Sequence, residues 1–181
     1  SGSRLLLFGA NGAIGNAIGS QFGAQGWDVI GVSRSAGRPR NGGKTIIADQ
    51  LDRNHDPSVF DEAGPCSAVV WAQGANANDS VYTVDVSKNL DLYQANCLYV
   101  VTTLRTLLER KLLGPGARLC IISSIWQSLA RQNKLSYCMT KAALQGLVMS
   151  AAADLGKDGY LINAVLPGAL DTPMTRQNLS V

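Results

Sequence analysis

Histidine is almost absent from this chain, and its cysteines follow no pattern. His55 is the single histidine and lies in a polar stretch, while Cys66, Cys97, Cys120 and Cys138 are scattered without CxxC or Cys/His spacing. Neither a metal site nor a redox motif follows from such an arrangement. Nothing brings His55 towards Cys138 as the base that a cysteine nucleophile would need, so buried, reduced thiols are expected. No apolar run reaches the ~18 residues of a membrane span, which leaves no membrane reading. The formal net charge is only +3, and the basic residues form no long cluster interleaved with aromatics, so nucleic acid is not indicated as a partner. No linker-like composition divides the 181 residues, and the length suits a single domain, 1–181, with a sizeable core. Ser1-Gly2-Ser3 reads as a cloning remnant, and nothing after it resembles a signal peptide. A cytoplasmic protein is expected.

What is present is order. Hydrophobic residues make up 46% of the chain, and the mean hydropathy is close to zero, at +0.05. The apolar run Arg4-Leu5-Leu6-Leu7-Phe8 leads into Gly9-Ala10-Asn11-Gly12-Ala13-Ile14-Gly15 and then into an apolar-periodic segment over residues 16–25. Strand, glycine turn and helix in that order let backbone N–H groups approach a phosphate without Cβ obstruction, and the helix start adds partial positive charge. A dinucleotide is the ligand this favours. A second strand, residues 26–32, ends in Ser33-Arg34. An acidic residue there would bond a ribose 2′-hydroxyl, whereas an arginine accommodates a 2′-phosphate. Arg38 and Arg40 are read as solvating a Pro/Gly-rich loop.

Further strands are expected over residues 44–49, with Asp49 closing the strand and Gln50 opening a polar connection, and over residues 68–72, followed by Gln73 and Gly74. A long helix with one interruption is expected over residues 86–111, and Gly114-Pro115-Gly116 is read as a turn into the strand around Cys120. After a helix carrying Tyr137, Asp158-Gly159 turns into a sixth strand that ends at Pro167-Gly168. Strands and helices alternate throughout, which implies an α/β fold: a doubly wound parallel sheet with helices on both faces, in three layers.

Chemistry concentrates in Ser123-Ser124 and Tyr137-Cys138-Met139-Thr140-Lys141. Ser124 is placed at the carboxyl end of a buried strand, where ligands of open α/β sheets bind. Tyr137 and Lys141 are four residues apart, on one face of a helix. A tyrosine titrates near pH ~10, and a cation beside it would bring its phenol closer to neutrality.

The glycine turn, Asn96, Ser124, the Tyr137 to Lys141 run and Pro167-Gly168 together resemble the short-chain dehydrogenase/reductase family, over nearly the whole chain. The resemblance implies a Rossmann-type fold with Tyr137 as acid/base, Ser124 bonding the substrate oxygen, Lys141 holding the nicotinamide ribose and lowering the tyrosine pKa, and Asn96 supporting a water-linked proton relay. It further implies a cofactor lying along Gly9, Asn11, Gly12, Ala13, Ile14 and Gly15, then Ser33, Arg34, Asp49 and Gln50, then Ala72, Gln73 and Gly74, and finally Pro167, Gly168, Leu170 and Thr172. Asp49 would contact the adenine. The chain departs from the usual pattern in two places: Ala13 stands where a glycine is common, and Trp71-Ala72-Gln73-Gly74 replaces Asn-Asn-Ala-Gly. It also ends soon after Asp171-Thr172-Pro173-Met174, so the lid, helix and last strand usual in the family are expected to be missing from it.

The function so implied is an NADP(H)-dependent interconversion of a carbonyl compound and a secondary alcohol, with NADP(H) preferred and NAD(H) possible. Two alternatives stay open: a catalytically idle dinucleotide-binding regulator or scaffold, and a relative that modifies nucleotide sugars. Trp126, Gln127, Leu135, Ala169 and Leu170 are expected to line a partly apolar substrate pocket. A homodimer or homotetramer is expected through the helices over 86–111 and 137–155, with Leu144, Leu147, Val148, Ala151 and Ala152 offering apolar surface.

Overall fold

A computed structural model describes residues 2–36 and 43–179; Arg38 and Arg40 lie outside them. Six parallel strands form one sheet in the order β3-β2-β1-β4-β5-β6. They are β1 (Arg4–Phe8), β2 (Asp28–Ser33), β3 (Thr45–Ile47), β4 (Cys66–Trp71), β5 (Leu113–Ile122) and β6 (Leu161–Val165). Helix α1 (Ala13–Ala24) follows β1, α2 (Val86–Tyr93) and α3 (Tyr99–Glu109) connect β4 to β5, α4 (Leu135–Leu155) precedes β6, and α5 (Pro173–Leu179) follows it.

The strands read as unbroken apolar runs because both faces of the sheet are covered. Alternate side chains point to opposite faces. Leu6, Phe8, Val69, Trp71, Leu119 and Ile121 join the larger core with Tyr99, Val100 and Leu107 of α3. Leu5, Leu7, Ala68 and Val70 pack on the other side, against Ile18 and Phe22 of α1. Register is continuous across the centre: Leu5 pairs with Val29 on one side and with Ala68 on the other.

Three expectations change. The third strand is shorter than residues 44–49, ending at Ile47, because Asp49 folds back to accept a hydrogen bond from Leu51 N at 2.9 Å. Gly114-Pro115-Gly116 lies inside β5: Leu113 pairs with Cys66, the register slips, and Arg118 pairs with Ala68. Gly116 takes φ +68° within that bulge, a conformation glycine adopts without penalty. On α4, Leu144 is fully buried and Leu147, Val148 and Ala151 pack on the chain's own core. Leu144 is therefore not available to a second copy, while Leu147, Val148 and Ala151 are half-buried and Ala152 is exposed; the large apolar residues α4 exposes are Met139 and Met149.

The interruption foreseen in the long helix is a single π turn, Gln94–Leu98, joining α2 to α3. Such turns widen the helix by one residue and concentrate at functional sites. Gln94, Ala95, Asn96 and Cys97 are all buried there.

Candidate active site

Strand order reverses between β1 and β4, whose carboxyl ends diverge to leave a crevice, the position where open α/β sheets bind ligands. A cleft of about 670 Å³ lies there. One wall is the turn from β1 to α1. Gly9, at φ +73°, sits so close to the chain after β4 that a Cβ on it would come within 2.5 Å of Gln73 N. A Cβ on Gly15 would come within 2.1 Å of Gly9 O, so only glycine lets α1 start this close to the strand. No side chain caps Gly12 at the N-terminus of α1, which leaves the first helical N–H groups to a ligand.

Gly9, Asn11, Gly12, Ala13, Ile14, Ser33, Arg34, Gln50, Ala72, Gln73, Gly74, Tyr137, Lys141 and Thr172 all lie on the cleft wall, as the sequence suggests. The other expected residues, Ser124 and Asn96 among them, do not. Gly15 is buried beneath the turn it permits, and Asp49 has turned its carboxylate to Leu51 N. The carbonyl of Pro167 is taken by Ile125 N, and that of Leu170 by Thr172 N; neither these two nor Gly168 reaches the cleft wall. Trp126, Gln127, Leu135 and Ala169 are also absent from it. Ser33 reaches the wall, but its hydroxyl donates to Ser35 O at 2.7 Å and is not free to donate elsewhere.

Wall residues that sequence reasoning missed include Ser35, Tyr99 and Met174. Ser35 is adjacent to Arg34 in sequence, the one signal that could have found it. Tyr99 is 2% exposed. It lies edge-on to Phe8 at 5.7 Å, and Phe8 stacks on Trp71. Burial, with Asp49 adding to it, pushes the Tyr99 phenol far above its ordinary range. Its hydroxyl, Gln73 Oε1 and Ser123 Oγ are buried on this wall without a hydrogen-bond partner. Orphaned polar atoms beside an uncapped helix start and an arginine at the end of β2 fit a phosphorylated, hydrogen-bonding ligand such as a nicotinamide dinucleotide phosphate.

The opposite wall carries the reactive groups. Tyr137 and Lys141 project from α4, with Lys141 Nζ 5.4 Å from the centre of the tyrosine ring. Lys141 is 5% exposed, and burial pushes its pKa down to about 8, with Cys97 opposing. Ser124 caps the short turn Ile125–Gln127, accepting from Trp126 N at 3.3 Å, and lies near enough to Tyr137 to favour its phenolate. Asn96 lies behind this pair. Its amide donates to Ala75 O at 3.0 Å and to Thr140 Oγ1 at 2.9 Å, and its oxygen accepts from Ala75 N at 2.7 Å.

Tyr137 corrects one expectation. Its pKa is raised, not lowered: burial is the largest cause and Cys138 adds to it, while the nearby Ser124 hydroxyl opposes both. Lys141 does not overcome this, since burial discourages its own charge as well. Cys66 and Cys97 are buried and pushed up to about 11, as expected of inert thiols; Cys120 and Cys138 are only half-buried. Among the described residues no group of three or more His, Cys, Asp or Glu could hold a metal ion, and no helix is long and apolar enough to cross a membrane.

A sequence profile described as enoyl-(acyl carrier protein) reductase matches residues 58–180, more than half of the chain. The chain belongs to the short-chain dehydrogenase/reductase family. With that membership it is an NAD(P)-dependent oxidoreductase. Among its relatives in this family, the 3-oxoacyl-[acyl-carrier-protein] reductase FabG of Pseudomonas aeruginosa is 26% identical over 97% of this chain and 77% of that protein. The 3-oxoacyl-[acyl-carrier-protein] reductase MabA of Mycobacterium bovis is 28% identical over 95% of this chain and 71% of that protein. In fold, a short-chain dehydrogenase family protein from Francisella tularensis superposes with a TM-score of 0.91 at 21% identity, over 99% of this chain and 75% of that one. BdcA, solved in complex with NADPH, superposes with a TM-score of 0.85 at 24% identity, over 98% of this chain and 78% of that one.

Proposed function

We propose that this family member interconverts a ketone and a secondary alcohol with NADP(H), using Tyr137 as the proton donor and acceptor. The observation that carries the proposal is the meeting of Tyr137 and Lys141 on the cleft wall opposite the glycine turn, with Ser124 beside Tyr137. A nicotinamide dinucleotide bound along that turn would supply or accept the two electrons as a hydride. The rest falls to the chain's own groups. In reduction, Tyr137 Oη–H gives its proton to the carbonyl oxygen, and Ser124 Oγ donates a hydrogen bond to that oxygen as negative charge develops on it. Lys141 holds a ribose hydroxyl and favours the phenolate left on Tyr137. Both Asn96 amide hydrogens are already bonded to Ala75 and Thr140, so Asn96 takes part in a proton relay through water at its main chain and fixes the π turn with its side chain.

The preference for NADP(H) is assigned to Arg34 and Ser35, which follow β2 on the cleft wall, where no acidic side chain stands among the described residues. The names of the relatives suggest a 3-oxoacyl thioester as the first carbonyl to supply. Self-association is proposed across α2, α3 and α4 through exposed Val86, Leu90, Val101, Met139 and Met149. The test of function is NADPH oxidation on adding a 3-oxoacyl thioester and a small panel of diketones and keto esters. Turnover of any member, lost in Tyr137→Phe, supports the proposal; NADPH binding without turnover of any would leave a dinucleotide-binding protein in its place.

A further inference from the structure

Lys134 is the residue immediately before α4 and is only 6% exposed, although lysines at helix starts ordinarily reach into water. Its Nζ donates to the side-chain oxygens of Asn76 (3.1 Å) and Asn78 (2.5 Å). A nitrogen offered two amide oxygens is one that carries protons to give. Around it, Asp79 accepts from Ser136 N at 2.9 Å and from Ser136 Oγ, and its carbonyl accepts from Leu135 N. Residues 76–79 therefore clamp the first turn of α4. The same ammonium lies 5.7 Å from the centre of the Tyr137 ring, and Lys141 Nζ lies 5.4 Å from it. One cation comes from the turn before Tyr137 and one from the turn after.

We propose that Lys134 is a second cation for Tyr137, a positioning residue that favours the phenolate and so sets the pH range in which Tyr137 exchanges its proton. The inference rests on the reading of Tyr137 as acid/base. A cation near an aromatic ring is attracted to a neutral phenol through its quadrupole, and more strongly to a phenolate, which bears a full charge. That difference lowers the pKa. Of the other groups beside Tyr137, Ser124 favours the phenolate, Cys138 and burial oppose it, and Lys141 loses its charge above about pH 8. Lys134 is also pushed down by burial and by Arg131, with Cys138 and Asp79 opposing, but its protons are held by Asn76 and Asn78.

Tyrosinate absorbance tests this without a substrate. Subtracting the titration of Tyr137→Phe from that of the parent isolates Tyr137 among the five tyrosines. Lys134→Met should move its midpoint up by roughly one pH unit, and Lys134→Arg should restore it. Lys134→Gln, which keeps a donor for Asn76, carries the test if the methionine variant does not fold. Ser136→Ala, measured in parallel, loosens the clamp at Asp79 but leaves Asn76 and Asn78 on Lys134 and so keeps the cation, and should leave the midpoint in place. An unmoved midpoint in Lys134→Met or Lys134→Gln would overturn the inference and leave Lys134 as a clamp alone, as would a midpoint that moves equally in Ser136→Ala. Failure of the acid/base reading itself would appear elsewhere, as turnover retained by Tyr137→Phe.

Discussion

Asn96 Nδ2 donates to Thr140 Oγ1 at 2.9 Å, tying the π turn to the helix that carries Tyr137 and Lys141. The same amide bonds Ala75 at both its N–H and its C=O, so one buried side chain fixes the loop after β4, the π turn and α4 together. Asn96→Ala leaves the Ala75 N–H and C=O without these partners, at roughly 1–3 kcal/mol for each buried group left unsatisfied. Urea unfolding should show a loss in that range, and turnover should fall more than cofactor affinity.

Lys141 should cost stability where it serves chemistry. A pKa of about 8 against the usual 10.5 means that the folded chain binds its proton less readily than the unfolded chain does. At ~1.36 kcal/mol per pH unit the penalty is about 3 kcal/mol, present in full below pH 8 and fading as pH rises to 10.5. Lys141→Met should therefore be more stable than the parent at pH 7, with the gain shrinking between pH 8 and 10.5, and should be inactive. Thermal unfolding across that range checks it.

Two glycines of α1 should respond in opposite directions. A Cβ at Gly15 meets Gly9 O at 2.1 Å and Gly9 C at 2.9 Å, backbone atoms that cannot give way cheaply, whereas at Gly23 nothing lies within 4 Å. Gly23→Ala should stabilise by about 0.5–1 kcal/mol, the helix-propensity difference. Gly15→Ala should destabilise and weaken NADPH binding, because the turn must shift.

Arg34 should set cofactor choice. A planar, permanently charged guanidinium can bond two phosphate oxygens, and each charge-assisted bond contributes roughly 1.5–3 kcal/mol. Arg34→Ala should therefore lose about tenfold or more in NADPH affinity and little in NADH affinity, read by fluorescence titration of both. A preference unchanged by the substitution would remove Arg34 from the site.

Much of this was legible in the sequence where one residue type had one physical use. Leu5 to Phe8 reads as a buried strand because a glycine turn and a periodic helix follow it, and that turn's tightness is seen at Gly9 and Gly15. Tyr137 and Lys141 are brought together by helical spacing alone. Gly114-Pro115-Gly116 misled because its local signal is a turn, while pairing of Leu113 with Cys66 draws it into β5. The inward side of α4 was not legible either, since its residues are apolar nearly all round and only the sheet decides which are covered. The environment of Lys134 depends on Asn76 and Asn78, 58 and 56 residues away, a distance no local pattern spans. The direction of the Tyr137 pKa was missed for a related reason: burial outweighed the neighbouring cation that the spacing made visible.

The measurement that bears most directly on the proposed chemistry compares Tyr137→Phe with the parent on one carbonyl substrate that the parent reduces. Phenylalanine keeps the ring between the lysines and removes the only proton that Tyr137 can give. The account predicts an NADPH affinity within about twofold of the parent and turnover lower by roughly 10²–10⁴-fold, the usual contribution of a positioned acid. A variant that keeps most of its turnover would contradict it.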